Sequence, residues 1–257
     1  MATETAAVEE KSGLTPEEQL AAERLRRKRQ VALGYRLFAA FRWGDLGDGH
    51  ITGRDPELTD CMWLLRYGVD FADAKANDLV LINPFGEVVD GGPADTPYNT
   101  TAWMIHHPIH QARPDVVGVA HTHTGWGTPF SAEARLLEPI SQESCLFFAD
   151  HSLFDDEEVQ ILSVDGGRRI ATALGDHRGV ILRNHGLLTV GTSVSSCMTN
   201  FVTMERVAEV AMKARDAKPI SGAAAKLAKA DLDVPEVLEF GFRSLVRRHI
   251  GNPLVVG

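Results

Sequence analysis

The stretch Val116-Val117-Gly118-Val119-Ala120-His121-Thr122-His123 decides the fold of this chain, because it ends a buried strand on two histidines. A short run of β-branched and small apolar residues is typical of a strand inside a sheet. Residues i and i+2 of a strand point to the same face, so the imidazoles of His121 and His123 can meet at one cation. The stretch therefore predicts a strand that ends on two ligands of a metal site.

A third histidine lies in a similar context further along the chain. Asn184-His185-Gly186 follows the aliphatic run Gly179-Val180-Ile181-Leu182, which also has the composition of a buried strand. Ten histidines in 257 residues produce some close pairs by chance, so a His-x-His pair alone is as often structural as functional. Ligands at strand ends are held on rigid elements, as a metal site requires. The two contexts together favour a site formed by His121, His123 and His185.

Length, composition and charge limit the class of protein. The chain has 257 residues, 44% of them hydrophobic, which is enough for one substantial core. Its net charge is −9. The basic cluster Arg24-Leu25-Arg26-Arg27-Lys28-Arg29 lies in a helical pattern, which indicates a solvated or subunit-facing helix side. We therefore expect a small-molecule substrate and no nucleic-acid partner.

The cysteines and the apolar runs indicate the compartment. Cys61, Cys145 and Cys197 are widely spaced and odd in number, which suits a reducing environment. The first eleven residues are acidic and rich in Ala and Thr, and the sequence has no uninterrupted apolar stretch of about 18 residues. We expect a cytoplasmic protein that does not bind or cross a membrane.

The sequence pattern predicts helices that alternate with short strands in one mixed sheet. Thr15-Pro16-Glu17-Glu18 is a strong helix start, with a Thr N-cap, Pro at the first position and carboxylates in the first turn. The tail 1–13 is expected to be disordered, and 219–229 to be a linker. The predicted helices are 16–42, 101–112, 166–174, 194–216 and 234–249, and the predicted strands are 63–65, 79–82, 116–120, 145–149 and 180–182.

Several short motifs, in this order, carry a resemblance to a known family. They are Gly49-His50-Ile51-Thr52-Gly53-Arg54, Asp78-Leu79-Val80-Leu81-Ile82, His106 with the following Arg113-Pro114-Asp115, Val119-Ala120-His121-Thr122-His123, and Leu182-Arg183-Asn184-His185-Gly186-Leu187-Leu188. Between about residues 29 and 217 the chain resembles the class II aldolase/adducin family, represented by bacterial sugar-phosphate aldolases and epimerases of the fuculose and ribulose phosphate type.

The resemblance implies an α/β fold of three layers, α/β/α, around a central mixed, mainly antiparallel sheet. It implies a family domain over residues 14–217, with 218–257 as a linker and a C-terminal helix that packs on the domain or on a neighbouring subunit. It also implies a homotetramer with active sites between subunits. The family's three metal ligands correspond to His121, His123 and His185, the set that strand geometry favours. Zn²⁺ is the expected ion, with Mn²⁺ or Fe²⁺ as alternatives, because imidazole ligands suit all three.

The chain departs from the family at the acid and the base. The aldolases carry a proton-transferring glutamate nineteen residues before the first ligand histidine, and that position is Ala102 here. The proton-donating tyrosine at their subunit interface corresponds to Gln142, which has no accessible pKa and cannot be a general acid. The resemblance therefore predicts a site without the usual acid and base.

The positions that bind phosphate in the family also differ. Its Gly-Asn pair becomes Gly49-His50, a Thr-Gly pair becomes Tyr67-Gly68, and two serines become Thr100 and Thr101. These changes argue against a sugar phosphate held in the usual way. The candidate substrate-binding residues are Gly49, Tyr67, Thr100 and Thr101.

His50, His106 and Gln142 are the candidate catalytic residues. His50 borders the predicted site, where it is either a substrate contact and acid/base or a hydrogen-bonding group that shapes the glycine-rich turn. His106 lies one turn beyond Ala102, at a position where the family has a histidine, and either orients a ligand or is structural. Gln142, Glu143 and the Asp150-His151 pair lie in a segment that reaches the neighbouring site in the family, and one of them is expected to supply a replacement donor.

Three functions are compatible with these residues. The first is a metal-dependent carbon–carbon lyase, aldolase-like or decarboxylating, that acts on a small hydroxy- or keto-carboxylate through a metal-stabilised enolate. Decarboxylation needs no base to remove a C–H proton, which suits Ala102. The second is a non-haem iron oxygenase, because three histidines with open positions can host Fe(II) and O₂. The third is a non-catalytic, adducin-like interaction domain, against which the complete histidine triad argues.

Overall fold

The computed structural model describes residues 13–44 and 46–257, in which helices cover both faces of one sheet. The helices of this part are α1 Pro16–Ala40, α2 Thr100–Ala112, α3 Gly127–Ala132, α4 Val164–Leu174, α5 Val194–Lys213, α6 Gly222–Leu232 and α7 Pro235–His249. Its strands are β1 Gly49–Arg54, β2 Met62–Leu65, β3 Leu79–Ile82, β4 Val88–Asp90, β5 Gly118–Thr122, β6 His151–Phe154, β7 Gly179–Leu182 and β8 Gly186–Gly191.

The eight strands form a single mixed sheet in the order β4-β3-β2-β1-β5-β8-β7-β6. All neighbouring strands run antiparallel except β6 and β7, which are parallel. The three-layer α/β fold with a mainly antiparallel sheet is thus confirmed. The predicted strands at 63–65, 79–82, 116–120 and 180–182 all lie in this sheet.

The two faces of β1 have opposite chemistry, as the alternation of a strand requires. Ile51 and Gly53 face α1 and α5, because a Cβ added at Gly53 would meet side chains of Val31 and Val194. His50 and Thr52 face α2, where their side chains bond to histidines of that helix. The core is therefore split into a large apolar cluster under α1, α5 and α7 and a smaller one under α2 and α4.

Helix starts are set by the residues that the sequence indicated. The Thr15 hydroxyl accepts from the backbone N–H of Glu18, and the Glu18 carboxylate accepts from the backbone N–H of Thr15, which is a complete capping box. The predicted start of α1 is confirmed. Asn99 caps α2 in a similar way, through a bond from the Thr101 N–H to its side-chain oxygen at 3.1 Å.

Two local predictions are wrong. The apolar run 145–149 is not a strand: Glu143–Phe147 forms a 3₁₀ helix, and the strand follows it as β6. A short apolar run carries no periodicity that distinguishes a buried helical turn from a strand. The predicted linker 219–229 lies largely in α6, whose Ser221 N-cap and Ala- and Lys-rich sequence favour a helix. The predicted disordered tail lies, up to residue 12, outside the described residues.

Gly118 tests how closely α5 packs on the sheet. A Cβ at this position would lie 2.8 Å from the Cα of Val194 and 3.0 Å from the Cβ of Cys197, and backbone cannot move aside cheaply. We expect Gly118→Ala to lower the free energy of unfolding by about 1–3 kcal/mol in urea titrations. Gly125→Ala is the control, because an added Cβ there meets nothing within 4 Å. Equal stability of both variants would contradict the close packing.

Candidate metal centre

The three predicted ligand histidines converge in the structure. Ligand nitrogens of His121, His123 and His185 lie within 4.8 Å of one another. The ring centroids are 4.7 Å apart for His121 and His185, 5.1 Å for His123 and His185, and 5.5 Å for His121 and His123. A single ion can therefore take one nitrogen from each ring, which leaves the remaining coordination positions open.

The sheet register and a tight turn bring the third histidine to the first two. His121 lies opposite Leu188 in the β5–β8 pairing, and β8 is joined to β7 by the short connection that holds His185. Asn184 adopts φ +57° and Gly186 φ +159°, conformations that asparagine and glycine accept most readily. The connection Asn184-His185-Gly186 is thus built to reverse the chain and to leave His185 at the strand end.

Hydrogen bonds fix which nitrogen two of the ligands present. Nδ1 of His121 donates to the carbonyl oxygen of Leu187 at 2.8 Å. Nδ1 of His123 lies 3.0 Å from a carboxylate oxygen of Asp48 and donates to it. Both rings therefore leave Nε2 free as a lone pair, and a second group orients each ring. The donor set of neutral imidazoles with fixed tautomers fits Zn²⁺, Mn²⁺ or Fe²⁺.

Burial keeps two of these imidazoles, those of His121 and His185, uncharged at neutral pH. Desolvation, and after it the nearby ring of His123, together lower the pKa of His185 to about 4. The pKa of His121 is held well below its usual range, first by desolvation and then by His185, His50 and His123. Neutral nitrogen is the form that binds a metal, so the site needs no proton release from these rings at pH 7.

A cavity of about 390 Å³ opens beside the triad. Its walls include Gly49, His50 and Thr101, three of the residues that the sequence predicted, together with Asn99 and Gln160. Among the described residues no lysine or arginine lines it. The carboxylate of a substrate in this cavity would therefore bind through the metal, through polar side chains or through another chain, and not through a guanidinium of this one.

Gly49 forms the boundary between this cavity and a neighbouring one of about 460 Å³. Its φ is +146°, and a Cβ would lie 2.6 Å from the Cβ of Thr122, so only glycine fits. Tyr67 lines the second cavity together with the aromatic rings of Tyr35, Trp43 and Phe71. Among the described residues that line it, Arg66 is the one cation, and it is paired with Asp78 at 2.8 Å.

Behind the triad, buried polar side chains form a continuous line. Nδ1 of His50 lies 2.8 Å from Nε2 of His106, whose Nδ1 lies 2.9 Å from the hydroxyl of Thr52. That hydroxyl is also 3.0 Å from Nε2 of His110, whose Nδ1 faces the carbonyl oxygen of Val116 at 3.3 Å. All four side chains are at most 4% exposed. His50 alone of the four lines the cavity with the triad.

Comparison with known proteins assigns the family. The family described as "Class II Aldolase and Adducin N-terminal domain" matches residues 29–212. The chain belongs to the class II aldolase and adducin family. A solved L-fuculose 1-phosphate aldolase from Glaciozyma antarctica PI12 superposes with a TM-score of 0.78 at 31% identity, covering 89% of this chain and 92% of that one.

Two Streptomyces relatives have catalytic names. A protein of Streptomyces roseochromogenus subsp. oscitans named 4-hydroxy-3-prenylphenylpyruvate oxygenase/4-hydroxy-3-prenylbenzoate synthase is 38% identical over 201 residues, 76% of this chain and 72% of the relative. Decarboxylase NovR of Streptomyces niveus is 38% identical over 184 residues, 71% of this chain and 67% of the relative. The resemblance inferred from sequence motifs is thus confirmed at the level of the family.

The remaining predicted site residues lie around the family's site with different exposure. Ala102, which the sequence analysis aligns with the family's glutamate, is fully buried one turn before His106. Thr100 is exposed at the start of α2 and does not line the cavity, whereas Thr101 does. Gln142 is exposed and does not line the cavity of its own chain, so its catalytic role stays a prediction that requires a second subunit.

Other polar residues, whose roles the sequence analysis did not decide, make structural contacts. Asp150 pairs with Arg178 and Lys229, and His151 bonds to backbone groups of Leu137 and Phe147. The guanidinium of Arg54 donates to backbone carbonyl oxygens, among them that of Val116 at 2.8 Å. None of these residues lines the cavity beside the triad.

The structure also identifies supporting residues that the sequence analysis missed. Glu205 of α5 accepts from the Thr124 hydroxyl at 2.5 Å and from the backbone N–H groups of Trp126 and Gly127, so it holds the loop that follows His123. The sequence analysis did not identify Asp48 or Thr52 as site residues either. A carboxylate on the apolar face of a long helix is a sequence signal that could have identified Glu205. No comparable sequence signal marks Asp48 or Thr52.

His110 should make the protein sensitive to acid. Burial lowers its pKa to about 3, while the unfolded chain has a histidine pKa near ~6.5. Between these values the unfolded state binds one more proton, so stability rises with pH and is lost as the pH falls below ~6.5. We expect His110→Gln to reduce the slope of unfolding free energy against pH, between pH 4 and 6, by up to about 1.4 kcal/mol per pH unit.

The measurement is urea unfolding at several pH values on wild type, His110→Gln and His249→Gln. His249 is exposed on α7 and serves as the control for loss of a histidine. If His110→Gln and wild type show the same slope, His110 is not held neutral in the folded protein.

Proposed function

We propose that this chain is a metal-dependent carbon–carbon lyase that acts on a small hydroxy- or keto-carboxylate. The observation that carries the proposal is the complete histidine triad. We combine it with the family resemblance, which assigns the position of the proton-abstracting glutamate to Ala102. A site that keeps its metal ligands but lacks the base suits a reaction that breaks a C–C bond without first removing a C–H proton. Loss of CO₂ is such a reaction.

The role of a bound divalent ion would be that of a Lewis acid, which stabilises the enolate left when the C–C bond breaks. His121, His123 and His185 would hold it. His121 and His123 would bind through Nε2, because their bonds to Leu187 and Asp48 fix the tautomer of each ring. Protonation of the product carbon would fall to water, or to His50, the ring that shares the cavity wall, once its Nε2 has taken up the proton of a substrate hydroxyl. Zinc is the ion proposed, with manganese or iron as alternatives.

The names of the relatives support two chemistries on this scaffold. A relative named as a decarboxylase supports the lyase, whereas a relative named as an oxygenase and synthase supports iron-dependent oxidation as the second candidate. Three nitrogen ligands with open positions are compatible with Fe(II) as well. A non-catalytic, adducin-like role is the third candidate, and the intact ligand geometry argues against it.

Assembly and location are also proposals. A homotetramer with active sites between subunits, in the cytoplasm, follows from the family resemblance. It would allow Gln142, which does not line the cavity of its own chain, to reach a neighbouring site. No helix among the described residues has the length and apolar character needed to span a bilayer. The boundary of the family domain, between residues 217 and 218, stays a prediction. The helices α6 and α7 follow this boundary.

Metal content tests the centre directly. We expect about one divalent ion per chain in protein purified without chelators or a metal-binding tag, measured by elemental analysis. His123→Ala should lose most of this metal yet keep its unfolding midpoint within a few degrees, because His123 is partly exposed. His249→Ala, which removes a histidine of α7, should retain the ion. Full metal occupancy in His123→Ala would contradict the ligand assignment.

Product analysis separates the lyase from the oxygenase. We expect the zinc- or manganese-loaded protein to release CO₂ or an aldehyde from a 2-oxo or 2-hydroxy acid under strictly anaerobic conditions. Reactions run in parallel with iron-loaded protein in air should show no substrate-dependent oxygen uptake. Turnover that needs both iron and O₂ would overturn the lyase in favour of the oxygenase. Absence of turnover with a full metal site would favour the interaction domain.

A further inference from the structure

The hydrogen bonds along the buried line of side chains from His50 to His110 all run in one direction. The carbonyl of Val116, at the far end of the line, determines that direction. A backbone carbonyl oxygen only accepts hydrogen bonds, so Nδ1 of His110, which faces the carbonyl of Val116, carries the hydrogen. In a neutral imidazole the other nitrogen then has none. Nε2 of His110 is therefore an acceptor.

The same reasoning gives the direction of the hydrogen bonds of Thr52. Because Nε2 of His110 accepts, the Thr52 hydroxyl donates its single hydrogen there, at 3.0 Å. The hydroxyl oxygen then accepts from Nδ1 of His106, at 2.9 Å, and Nε2 of His106 becomes an acceptor in turn. Nδ1 of His50 must donate to it, across 2.8 Å. Every ring in the line is thus an Nδ1–H tautomer.

The surroundings keep the far end of the line uncharged, as this assignment requires. Burial, the largest cause, and then the guanidinium of Arg54 lower the pKa of His110. Arg54 also donates to the Val116 carbonyl at 2.8 Å, so the end of the line is fixed in place.

With Nδ1 turned inward, the edge of His50 left for the cavity carries the lone pair of Nε2. His50 pairs with His121 across β1 and β5, and their ring centroids are 5.1 Å apart, so this lone pair lies beside the metal centre. A hydroxyl group placed there can donate a hydrogen bond to it. A carbonyl oxygen at the same place would bring two lone pairs together, which is unfavourable.

We propose that the line from Val116 to His50 makes the cavity select a 2-hydroxy acid over the corresponding 2-oxo acid, with Thr52 as the positioning residue. The choice of acid rests on the proposed function, whereas the direction of the line does not. The substrate hydroxyl would lie beside the three ligand histidines and donate its hydrogen to Nε2 of His50. The substrate of the lyase is then a 2-hydroxy acid that also carries a carbonyl group next to C2. The electron pair left at C2 by loss of CO₂ can then form an enolate, which takes up a proton.

The tautomers can be measured without any metal or substrate. Long-range ¹H–¹⁵N correlation spectra of protein labelled with ¹⁵N-histidine distinguish Nδ1–H from Nε2–H rings. We expect His50, His106 and His110 of the wild type, assigned by single His→Gln substitutions, to be neutral Nδ1–H tautomers at pH 7. An Nε2–H form of His50 would overturn the proposed direction, whatever the protein catalyses.

Selectivity is tested with a matched pair of probes, lactate and pyruvate, by calorimetric titration of the zinc-loaded protein. Thr52→Val removes the hydroxyl at nearly constant shape, and we expect it to reduce the preference for lactate over pyruvate by about tenfold relative to wild type. Thr52→Ser keeps the hydroxyl and should preserve the ratio. Thr189→Val, at another fully buried threonine of the same sheet, is the control for a lost hydroxyl elsewhere.

The outcomes distinguish failure of the proposed hydrogen-bond direction and Thr52 role from failure of the proposed substrate class. An unchanged lactate-to-pyruvate ratio in Thr52→Val would overturn the positioning role of Thr52. Failure of both acids to bind the zinc-loaded wild type would overturn the substrate class, and with it this part of the proposed function. Nδ1–H rings in the spectra would still support the hydrogen-bond direction in that case, because the spectra of the metal-free protein do not depend on a ligand.

Discussion

The antiparallel pairing of β1, β5 and β8 is the constraint on which the rest of the structure depends. It sets His50 opposite His121 and His121 opposite Leu188, so the imidazoles of β1 and β5 lie on one face and at one level, next to the strand that follows His185. A shift of one residue would turn these side chains toward α1 and α5 and expose an apolar row in the cavity. Glycines such as Gly118 hold this register by allowing α5 to approach the sheet.

The metal site was more predictable than the groups that support it, for a physical reason. His121 and His123 follow from the period of two in a single strand, and the position of His185 at a strand end is likewise a local pattern. Asp48 and Thr52 acquire roles only through contacts with segments 54 to 75 residues away, which no local period encodes. The helical turn at Glu143–Phe147 and the helix α6 were missed because tertiary packing and composition outweighed weak local signals.

The centre combines burial with polarity, a costly arrangement unless each polar atom has a partner. The structure meets this requirement with neutral rings bonded to one another, to Thr52 and to backbone carbonyls, so no charge is buried. The same bonds determine which nitrogen each ring presents. Stability and ligand geometry therefore have one cause here: a ring that turned or changed tautomer would leave a buried donor or acceptor unpaired.

Under the proposed correspondence of Ala102 to the family's glutamate, the centre differs from that of the aldolases in charge as well as in acid–base chemistry. With three imidazoles as the proposed ligands, no ligand side chain would compensate the charge of a divalent ion, and the one carboxylate among the described cavity walls is that of Asp48, which pairs with His123. A substrate anion would then supply the missing negative charge. On this argument a cavity without lysine or arginine among its described walls could bind a carboxylate, and its substrate should differ from a sugar phosphate.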